Sequence, residues 1–317
     1  MEAFLLKFTR YLEGERKASK YTIRNYENDL RPFIAFAAKR GVTEPDGVNR
    51  AIIRAYLGAL MVEKYSKRSI ARKLSALRSF YRFLNIMGYA KGNAAASASS
   101  PKLDRRLPDF LPEDSTKRLL EAPDTSSPLG LRDRAIIEII YAAGLRVSEA
   151  AGLNTYDINM KERELRVMGK GSKERITIIG KLARHWLSEY IKTVRPELLK
   201  KKQNAALFLN NNGRRLSVRA IQMIIKRYSK LVGLPDGVHT HTLRHTYATH
   251  MLDGGADLRV VQELMGHASL STTQIYTHVT QAQARKVYLS AHPLAKNPPS
   301  VSNKTEELVS ENENTSY

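Results

Sequence analysis

The sequence contains no cysteine and far fewer acidic than basic side chains. Without cysteine, the chain can form no disulfide, no thiolate metal site and no cysteine nucleophile. It also has no run approaching the roughly 20 apolar residues that a helix needs to span a bilayer. Its first residues form an amphipathic pattern with no signal-peptide core or cleavage site. We therefore expect a cytoplasmic protein without a membrane partner.

The shortage of acidic residues leaves a formal net charge of +21, from 52 Lys and Arg against 31 Asp and Glu. An excess this large repels itself unless a polyanion neutralises it. Nucleic acid is the best fit, because Lys and Arg that bind phosphates release condensed counterions. We therefore expect the protein to associate with the nucleoid, although a merely solvated basic surface is the alternative. Charge alone does not distinguish cutting or joining DNA from binding it.

The first ninety residues follow helical periodicity throughout. The clearest apolar stripe lies in residues 66–87, at Ile70, Leu74, Leu77, Tyr81 and Leu84. The opposite face of this predicted helix is basic, and we interpret it as facing DNA rather than solvent alone. The DNA-binding side chains predicted on this helix are Lys67, Arg68, Arg72 and Lys73.

A segment of small and polar residues, GNAAASASSPKLDRRLP, follows at residues 92–108. Few residues of this composition can be buried profitably, so we predict a linker over residues 93–108. It would join a helical domain at residues 1–92 to a second domain at residues 109–293. The linker residues that would contact phosphates are Lys102, Arg105 and Arg106.

The second predicted domain combines helices with one hairpin. A helical pattern covers residues 130–143, and helical patterns resume after the hairpin. Residues 164–167 and 175–178 alternate with period two on either side of GKGSK, which predicts a β-hairpin with a basic, glycine-rich tip. Beyond Pro293 the composition becomes polar and weakly acidic, and we predict a disordered tail over residues 294–317.

Six of the eight histidines lie between His239 and His278, so a metal site has to be considered. His241 and His245 have the helical spacing that zinc hydrolases use. However, Thr242 occupies the position where those enzymes carry a glutamate. Because the chain also lacks cysteine and the next carboxylate is Asp253, we predict that no metal is bound.

Metal-free phosphoryl transfer needs cations for the phosphate oxygens, an in-line nucleophile and a proton for the leaving oxygen. Tyrosine suits the nucleophile's part, because its ordinary pKa of about 10 makes the phenolate a moderate leaving group and the ester reversible. The candidate residues, in chain order, are Arg146 in GLRVSEAAGL, Lys170 in MGKGSKERI, His241 and Arg244 in HTLRH, and His267 and Tyr276 in LMGHASLSTTQIYTH. Each is a weak signal alone, and the prediction depends on their joint order and spacing.

With these motifs the sequence resembles the tyrosine recombinase (phage integrase) family, and most closely its Xer recombinases, which resolve chromosome dimers. The resemblance covers nearly the whole chain, from about residue 4 to residue 293. It implies a mainly α-helical protein of two domains. The first would be a helical, SAM-like core-binding domain that binds DNA. The second would be an α+β tyrosine recombinase catalytic domain with a small antiparallel sheet.

The resemblance also implies how the scissile phosphate is held and attacked. Arg146 and Arg244 match the paired arginines that clamp this phosphate, and His267 matches a histidine that hydrogen-bonds it. Tyr276 matches the nucleophile that forms a 3′-phosphotyrosyl bond and frees a 5′-hydroxyl. His278, by the same comparison, has no catalytic role.

The resemblance implies that two further residues transfer protons. Lys170, at the hairpin tip, matches the lysine that protonates the leaving 5′ oxygen. His241 matches the first family histidine, which assists proton transfer. Lys173, on the same tip, would bind DNA. This chemistry requires no metal, nucleotide or other cofactor.

As partners, the resemblance implies double-stranded DNA with an inverted-repeat recombination site and a homo- or hetero-tetramer in the synapse. Strands would be exchanged through a Holliday junction, and an FtsK-type translocase is a candidate activator. The helix after Tyr276 would pack into a neighbouring subunit through Val279, Val287 and Leu289. Three alternatives stay open at this point. They are the integrase of a mobile element with the same chemistry, a metal-dependent nuclease, and a non-catalytic DNA-bridging protein.

Overall fold

A computed structural model describes residues 1–101, 110–169, 174–200, 203–266 and 281–296 of the chain. The chain divides into two compact units, Met1–Arg105 and Arg106–Tyr317, each with its own hydrophobic core. Among the described residues, no helix is long and apolar enough to cross a membrane. The predicted site residues that lie outside the described ranges are Lys102, Arg105, Arg106, Lys170, Lys173, His267 and Tyr276.

In the first unit, α-helices surround a core of aliphatic and aromatic side chains. These helices are α1 (Glu2–Gly14), α2 (Lys20–Ala38), α3 (Arg50–Val62) and α4 (Lys67–Ile86). Ser19, Asn49 and Ser66 cap α2, α3 and α4, because each side chain accepts a hydrogen bond from the backbone N–H three residues later. The apolar stripe predicted for residues 66–87 is confirmed, since all five of its side chains are buried.

The beginning of the predicted linker packs against the first unit. Ala95 is fully buried in that unit's core. Arg78 of α4 donates hydrogen bonds to the carbonyl oxygens of Ala95 at 3.2 Å and Ala98 at 2.5 Å. This docking corrects the expectation that a segment of this composition has few residues to bury, because alanines let the backbone come close to the helix. The linker's boundaries stay a prediction.

The second unit is larger, and along the sequence its helices come both before and after the strands of its sheet. Its helices are α5 (Glu113–Glu121), α6 (Pro128–Ala142), α7 (Val147–Gly152), α8 (Lys181–Glu189), α9 (Arg195–Leu199), α10 (Val218–Leu231), α11 (Thr240–Asp253), α12 (Leu258–Met265), α13 (Gln281–Ala291) and α14 (Pro293–Lys296). A π-helical turn at Tyr190–Val194 joins α8 to α9. The helix predicted over residues 130–143 is thus confirmed as α6, which is buried along nearly its whole length.

The sheet of the second unit has three antiparallel strands in chain order. They are β1 (Ile158–Asn159), β2 (Glu164–Met168) and β3 (Glu174–Ile178). The predicted hairpin is confirmed as β2 and β3, and β1 was not predicted because two residues are too few to show a period. Val167, which is buried, lies opposite Arg175 in the register. Since directly paired residues share a face of the sheet, Arg175 lies on the inner face.

The helix that follows Tyr276 in the chain, α13, packs against its own unit. Tyr288 and Ala291 are buried, and Val287 packs against the same core. Val287 is thus partly buried within its own unit, whereas Leu289 is 37% exposed, and packing of this helix into a neighbouring subunit stays a prediction. Val279 lies outside the described residues.

The predicted disordered tail needs a correction at its start. Residues 293–296 form the short helix α14, in which Leu294 and Ala295 pack against the core of the second unit. Two apolar residues that pack against this core are enough to order the turn, although the composition of the whole segment is polar. Residues 297–317 lie outside the described residues, so disorder there stays a prediction.

Candidate active site

Arg244 lies on α11 and is buried, with 6% of its side chain exposed. Its guanidinium donates hydrogen bonds to the carbonyl oxygens of Gly144 and, at 2.5 Å, Met265. Burial, followed by the like charge of Arg146, lowers the pKa of Arg244 to about 10. The group therefore remains a cation at neutral pH and can neutralise an anion.

Gly144 makes the turn that brings the chain from α6 to Arg146. Its φ is +55°, and a Cβ at this position would lie 2.6 Å from the ring of Tyr247. Both the left-handed backbone and the close approach favour glycine. The same residue offers its carbonyl oxygen to Arg244, so this turn connects the positions of the two arginines.

Arg146 is the N-cap residue of α7 and is the more accessible of the two arginines, with 33% of its side chain exposed. Its Nη1 donates to Oε1 of Glu149 at 2.7 Å, and its Nη2 approaches the carbonyl oxygen of Gly266 at 3.4 Å. Its backbone N–H donates to Oε2 of Glu149 at 2.8 Å. Because the resemblance implies that they hold the scissile phosphate, we call Arg146 and Arg244 the phosphate clamp.

Glu149, which the sequence analysis missed, connects the two clamp residues. Its carboxylate is bonded to Arg146 and to both terminal nitrogens of Arg175, and it lies 3.8 Å from Nη1 of Arg244. Burial raises the pKa of Glu149, but the hydrogen bonds and charge of Arg175 and the bonds from Arg146 bring it below its ordinary value. A sequence signal existed, because a glutamate three residues after a helix N-cap is typical of a capping box.

The histidines near the clamp differ in their environments. His241, in the first turn of α11, has a lowered pKa because of partial burial and the nearby positive groups of His239, His245, Arg244 and Arg146. A neutral imidazole at physiological pH can accept a proton. His239 and His250 are engaged elsewhere, with Thr242 Oγ1 at 2.7 Å and the Tyr141 hydroxyl at 2.8 Å respectively.

The structure thus brings Arg146, His241 and Arg244 together, as the motif order led us to expect. Three guanidinium groups, counting Arg175, surround one carboxylate and leave this cluster with a formal charge of +2. Lys170, His267 and Tyr276 lie outside the described residues, and the catalytic roles stay predictions. Within the described ranges, no group of three His, Asp or Glu side chains is placed to hold a metal ion. The cluster can bind a doubly charged oxyanion.

The basic face of α4 in the first unit needs one correction. Lys67, Arg68 and Arg72 are exposed, as a DNA-binding surface requires, although Arg72 also forms an ion pair with the buried Asp29. Lys73 is buried, and its Nζ lies 3.4 Å from Oδ1 of the buried Asp29 on α2. It cannot reach a phosphate, because its position three residues after Ile70 places it on the inner face of the helix.

We expect Arg68→Ala to reduce the slope of log Kd against log salt concentration by about one, because one phosphate contact would be lost. Lys73→Met should leave this slope unchanged but reduce the free energy of unfolding by about 1–3 kcal/mol, since the buried Asp29 loses one of its two charged partners and keeps Arg72. Anisotropy titrations with labelled duplex DNA and thermal unfolding would measure the two effects. If neither Arg68→Ala nor Arg72→Ala changed the slope, α4 would not face DNA.

Comparison with known protein families gives two matches along the chain. Residues 109–283 match the phage integrase family, and residues 5–86 match the N-terminal SAM-like domain of phage integrases. A tyrosine recombinase XerC from Pelotomaculum thermopropionicum is 45% identical over 91% of this chain and 97% of its own length. A tyrosine recombinase XerD from Staphylococcus aureus is 41% identical over 93% of this chain and 100% of its own length.

Solved structures with the same fold include two DNA complexes. A lambda integrase dimer (residues 75–356) bound to a COC′ core site superposes with a TM-score of 0.66 at 20% identity, covering 91% of this chain and 95% of that one. The XerH site-specific recombinase bound to its difH substrate superposes with a TM-score of 0.61 at 24% identity, covering 89% of this chain and 82% of that one. At these identities the likeness concerns the fold, which is mainly helical with a small antiparallel sheet.

Proposed function

The chain belongs to the phage integrase family, and we propose that it is a recombinase of the Xer type that resolves chromosome dimers at one inverted-repeat site. As a tyrosine recombinase, it cleaves and rejoins DNA through a phosphotyrosine intermediate and acts in site-specific recombination. The observation that supports catalysis at this site is that Arg146 and Arg244 both approach Glu149. A buried and a half-exposed guanidinium at one place provide the two charges that a scissile phosphate requires.

In the proposed cleavage step, the phenolic oxygen of Tyr276 attacks the phosphorus while the bond from phosphorus to the 5′ oxygen breaks. His241 accepts the phenolic proton, and its lowered pKa supports this role because the imidazole is neutral before the reaction. Lys170 donates a proton to the leaving 5′ oxygen. The energy of the phosphodiester is kept in the 3′-phosphotyrosyl ester, so the reverse reaction rejoins strands without a nucleotide cofactor.

The clamp supplies electrostatic stabilisation in this step. Two non-bridging oxygens carry negative charge as the phosphorus becomes pentavalent, and arginine binds such oxygens with paired hydrogen bonds. Arg146 is exposed enough to bind from solvent, whereas Arg244 is held in place by two backbone carbonyls. His267 would add a third donor to the same phosphate.

The proposal extends to the assembly. Four copies of the chain, or two copies with two of a related protein, would join two duplexes and exchange strands in two steps through a Holliday junction. The exposed residues Lys67, Arg68 and Arg72, with Lys102, Arg105, Arg106 and Lys173, would bind the duplex. An FtsK-type translocase would activate the complex in the cell.

The proposal is tested by trapping covalent protein–DNA ends in host genomic DNA. Protein is incubated with the DNA in excess EDTA, the linked ends are captured and sequenced, and a Tyr276→Phe sample serves as the control. We expect tyrosine-linked 3′ ends at a single inverted-repeat locus opposite the replication origin. EDTA should not reduce their yield, because no metal enters the step.

Other outcomes would overturn parts of the proposal. Linked ends at the boundary of a mobile element would replace dimer resolution with integration. Loss of cleavage in EDTA would point to a metal-dependent nuclease reaction instead. Linked ends in the Tyr276→Phe sample would place the nucleophile on another residue.

A further inference from the structure

We propose that Arg175, on β3, is a positioning residue for the phosphate clamp and acts through Glu149 and the end of α12. The inference rests on the proposed function, because a clamp requires a phosphate to bind. Arg175 follows Lys170 by five positions in GKGSKER. The resemblance assigns a catalytic role to Lys170 but none to Arg175. Its contacts connect β3 to both of the segments that position Arg146 and Arg244.

Arg175 makes three hydrogen bonds to two partners. Its Nη1 and Nη2 donate to the two carboxylate oxygens of Glu149, each at 2.9 Å. Its Nε donates to the carbonyl oxygen of Leu264, also at 2.9 Å. Only 11% of the side chain is exposed, so water competes little for these bonds. A bidentate contact fixes the plane of both groups, and Arg175 therefore orients the carboxylate that Arg146 binds.

All three arginines converge on the end of α12. The successive carbonyl oxygens of residues 264–266 accept hydrogen bonds from Arg175, Arg244 and Arg146 in that order. The partial negative charge at a helix C-terminus favours cations at this place. This row of carbonyls therefore fixes the end of α12 against the clamp, directly before His267 in the sequence.

Gly266 supports the same arrangement. It has a φ of +67° at the end of α12, and a Cβ there would lie 2.9 Å from Cδ of Arg175. Glycine provides both the left-handed turn and the space against the arginine stem. The close fit between Arg175 and this turn indicates that the side chain supports the backbone as well as the carboxylate.

The charge of Arg175 explains why Glu149 does not weaken the clamp. A single buried carboxylate facing only Arg146 and Arg244 would neutralise one of the two charges that the phosphate requires. Arg175 supplies a compensating charge, so that the cluster of three guanidinium groups and one carboxylate retains +2. This value matches the two negative non-bridging oxygens of the pentavalent phosphorus.

The test uses the full chain and a nicked duplex carrying the locus that the trapping experiment identifies. It measures the single-turnover rate of covalent complex formation and the Kd for DNA. We expect Arg175→Met to lower the rate roughly 10²-fold, the effect of a displacement of about 1 Å in a catalytic group, while Kd stays within about twofold. Arg175→Lys, which keeps the charge but lacks the fork, should recover part of the rate.

Arg132→Met is the matched control for lost stability. Arg132 also donates two hydrogen bonds to a buried carboxylate, that of Asp133, and one to a backbone carbonyl, that of Leu209. It lies on α6, outside the clamp. Its loss should lower the melting temperature as much as that of Arg175 but leave the rate per folded molecule unchanged.

The pH dependence gives a second readout that a structural role would not change. Arg175 holds the pKa of Glu149 down, so in Arg175→Lys this pKa should rise and an acid limb should appear in the rate profile at higher pH than in the wild type. The shift should disappear when Glu149→Gln is combined with Arg175→Lys, because no carboxyl then titrates.

The outcomes separate the inference from the proposed function. A wild-type chain that forms no covalent complex would overturn the proposed function, and the inference with it. An active wild type with Arg175→Lys unchanged in both rate and pH profile would overturn the inference alone. The inference alone would also be overturned if the lower rate of Arg175→Met were fully explained by its smaller folded fraction, as is expected for Arg132→Met. If Arg175→Met fails to fold, the rate and pH profile of Arg175→Lys decide.

Discussion

Replacement of Tyr276 by phenylalanine is expected to abolish covalent complex formation and to leave DNA binding intact. The substitution removes only the phenolic oxygen, which is the atom that attacks phosphorus in the proposed step. The phosphate clamp, the hairpin lysine and the basic face of α4 are untouched, so the Kd for duplex DNA should not change. Denaturing gel electrophoresis of the protein–DNA mixture, alongside anisotropy titration of the same preparation, measures both quantities.

Tyr156→Phe is the matched control for this experiment. Tyr156 lies in the same unit, 65% exposed, and losing its hydroxyl should leave both cleavage and binding at wild-type levels. Covalent complexes in the Tyr276→Phe variant would show that another side chain is the nucleophile. A loss of DNA binding in that variant would instead show that the hydroxyl contributes to the bound state.

Arg244→Ala is expected to lower the cleavage rate by a factor on the order of 10²–10³, by analogy with the removal of one donor from an oxyanion hole. The pKa of Arg244 is about 10, so the residue carries its charge throughout the pH range below about 9. The defect should therefore be nearly independent of pH in that range. Single-turnover cleavage at several pH values measures the size and the pH dependence of the effect.

The burial of Arg244 requires that stability be measured at the same time. The substitution leaves the carbonyl oxygens of Gly144 and Met265 without their donor, which costs about 1–3 kcal/mol each when such groups stay buried. Thermal unfolding gives the folded fraction by which the rate is corrected. Arg244→Lys separates charge from geometry, because lysine keeps the charge but lacks the planar fork. A wild-type rate in Arg244→Ala would move the clamp to other residues, whereas a wild-type rate in Arg244→Lys would show that the positive charge alone is sufficient at this position.

Local periodicity made the helical part of this fold predictable. The stripe from Ile70 to Leu84 is buried as predicted, and the alternation on both sides of GKGSK became β2 and β3. These patterns repeat every two to four residues, so a short window of sequence contains them completely. The two-residue strand β1 contains no full period and could not be found in this way.

The candidate site was predictable only in part. The motif order identified Arg146, His241 and Arg244, which the structure brings together. It missed Glu149 and Arg175, because an ion pair between residues 26 positions apart leaves no periodic trace in the sequence. A glutamate after an N-cap was visible as a capping residue, but its second partner on β3 was not.

Lys73 shows the same limit of sequence-based prediction, but here a residue was wrongly predicted to bind DNA rather than missed. The sequence correctly determined that α4 is helical and that one face is basic. Whether a lysine at the edge of that face points to solvent or inward depended on Asp29, which is 44 residues away on α2. The sequence by itself determined the helices, the hairpin and the family of chemistry, since these depend on local spacing and motif order. Only the tertiary structure decided which charges pair with each other and which remain for DNA, because pairing depends on distances between elements that are remote in the chain.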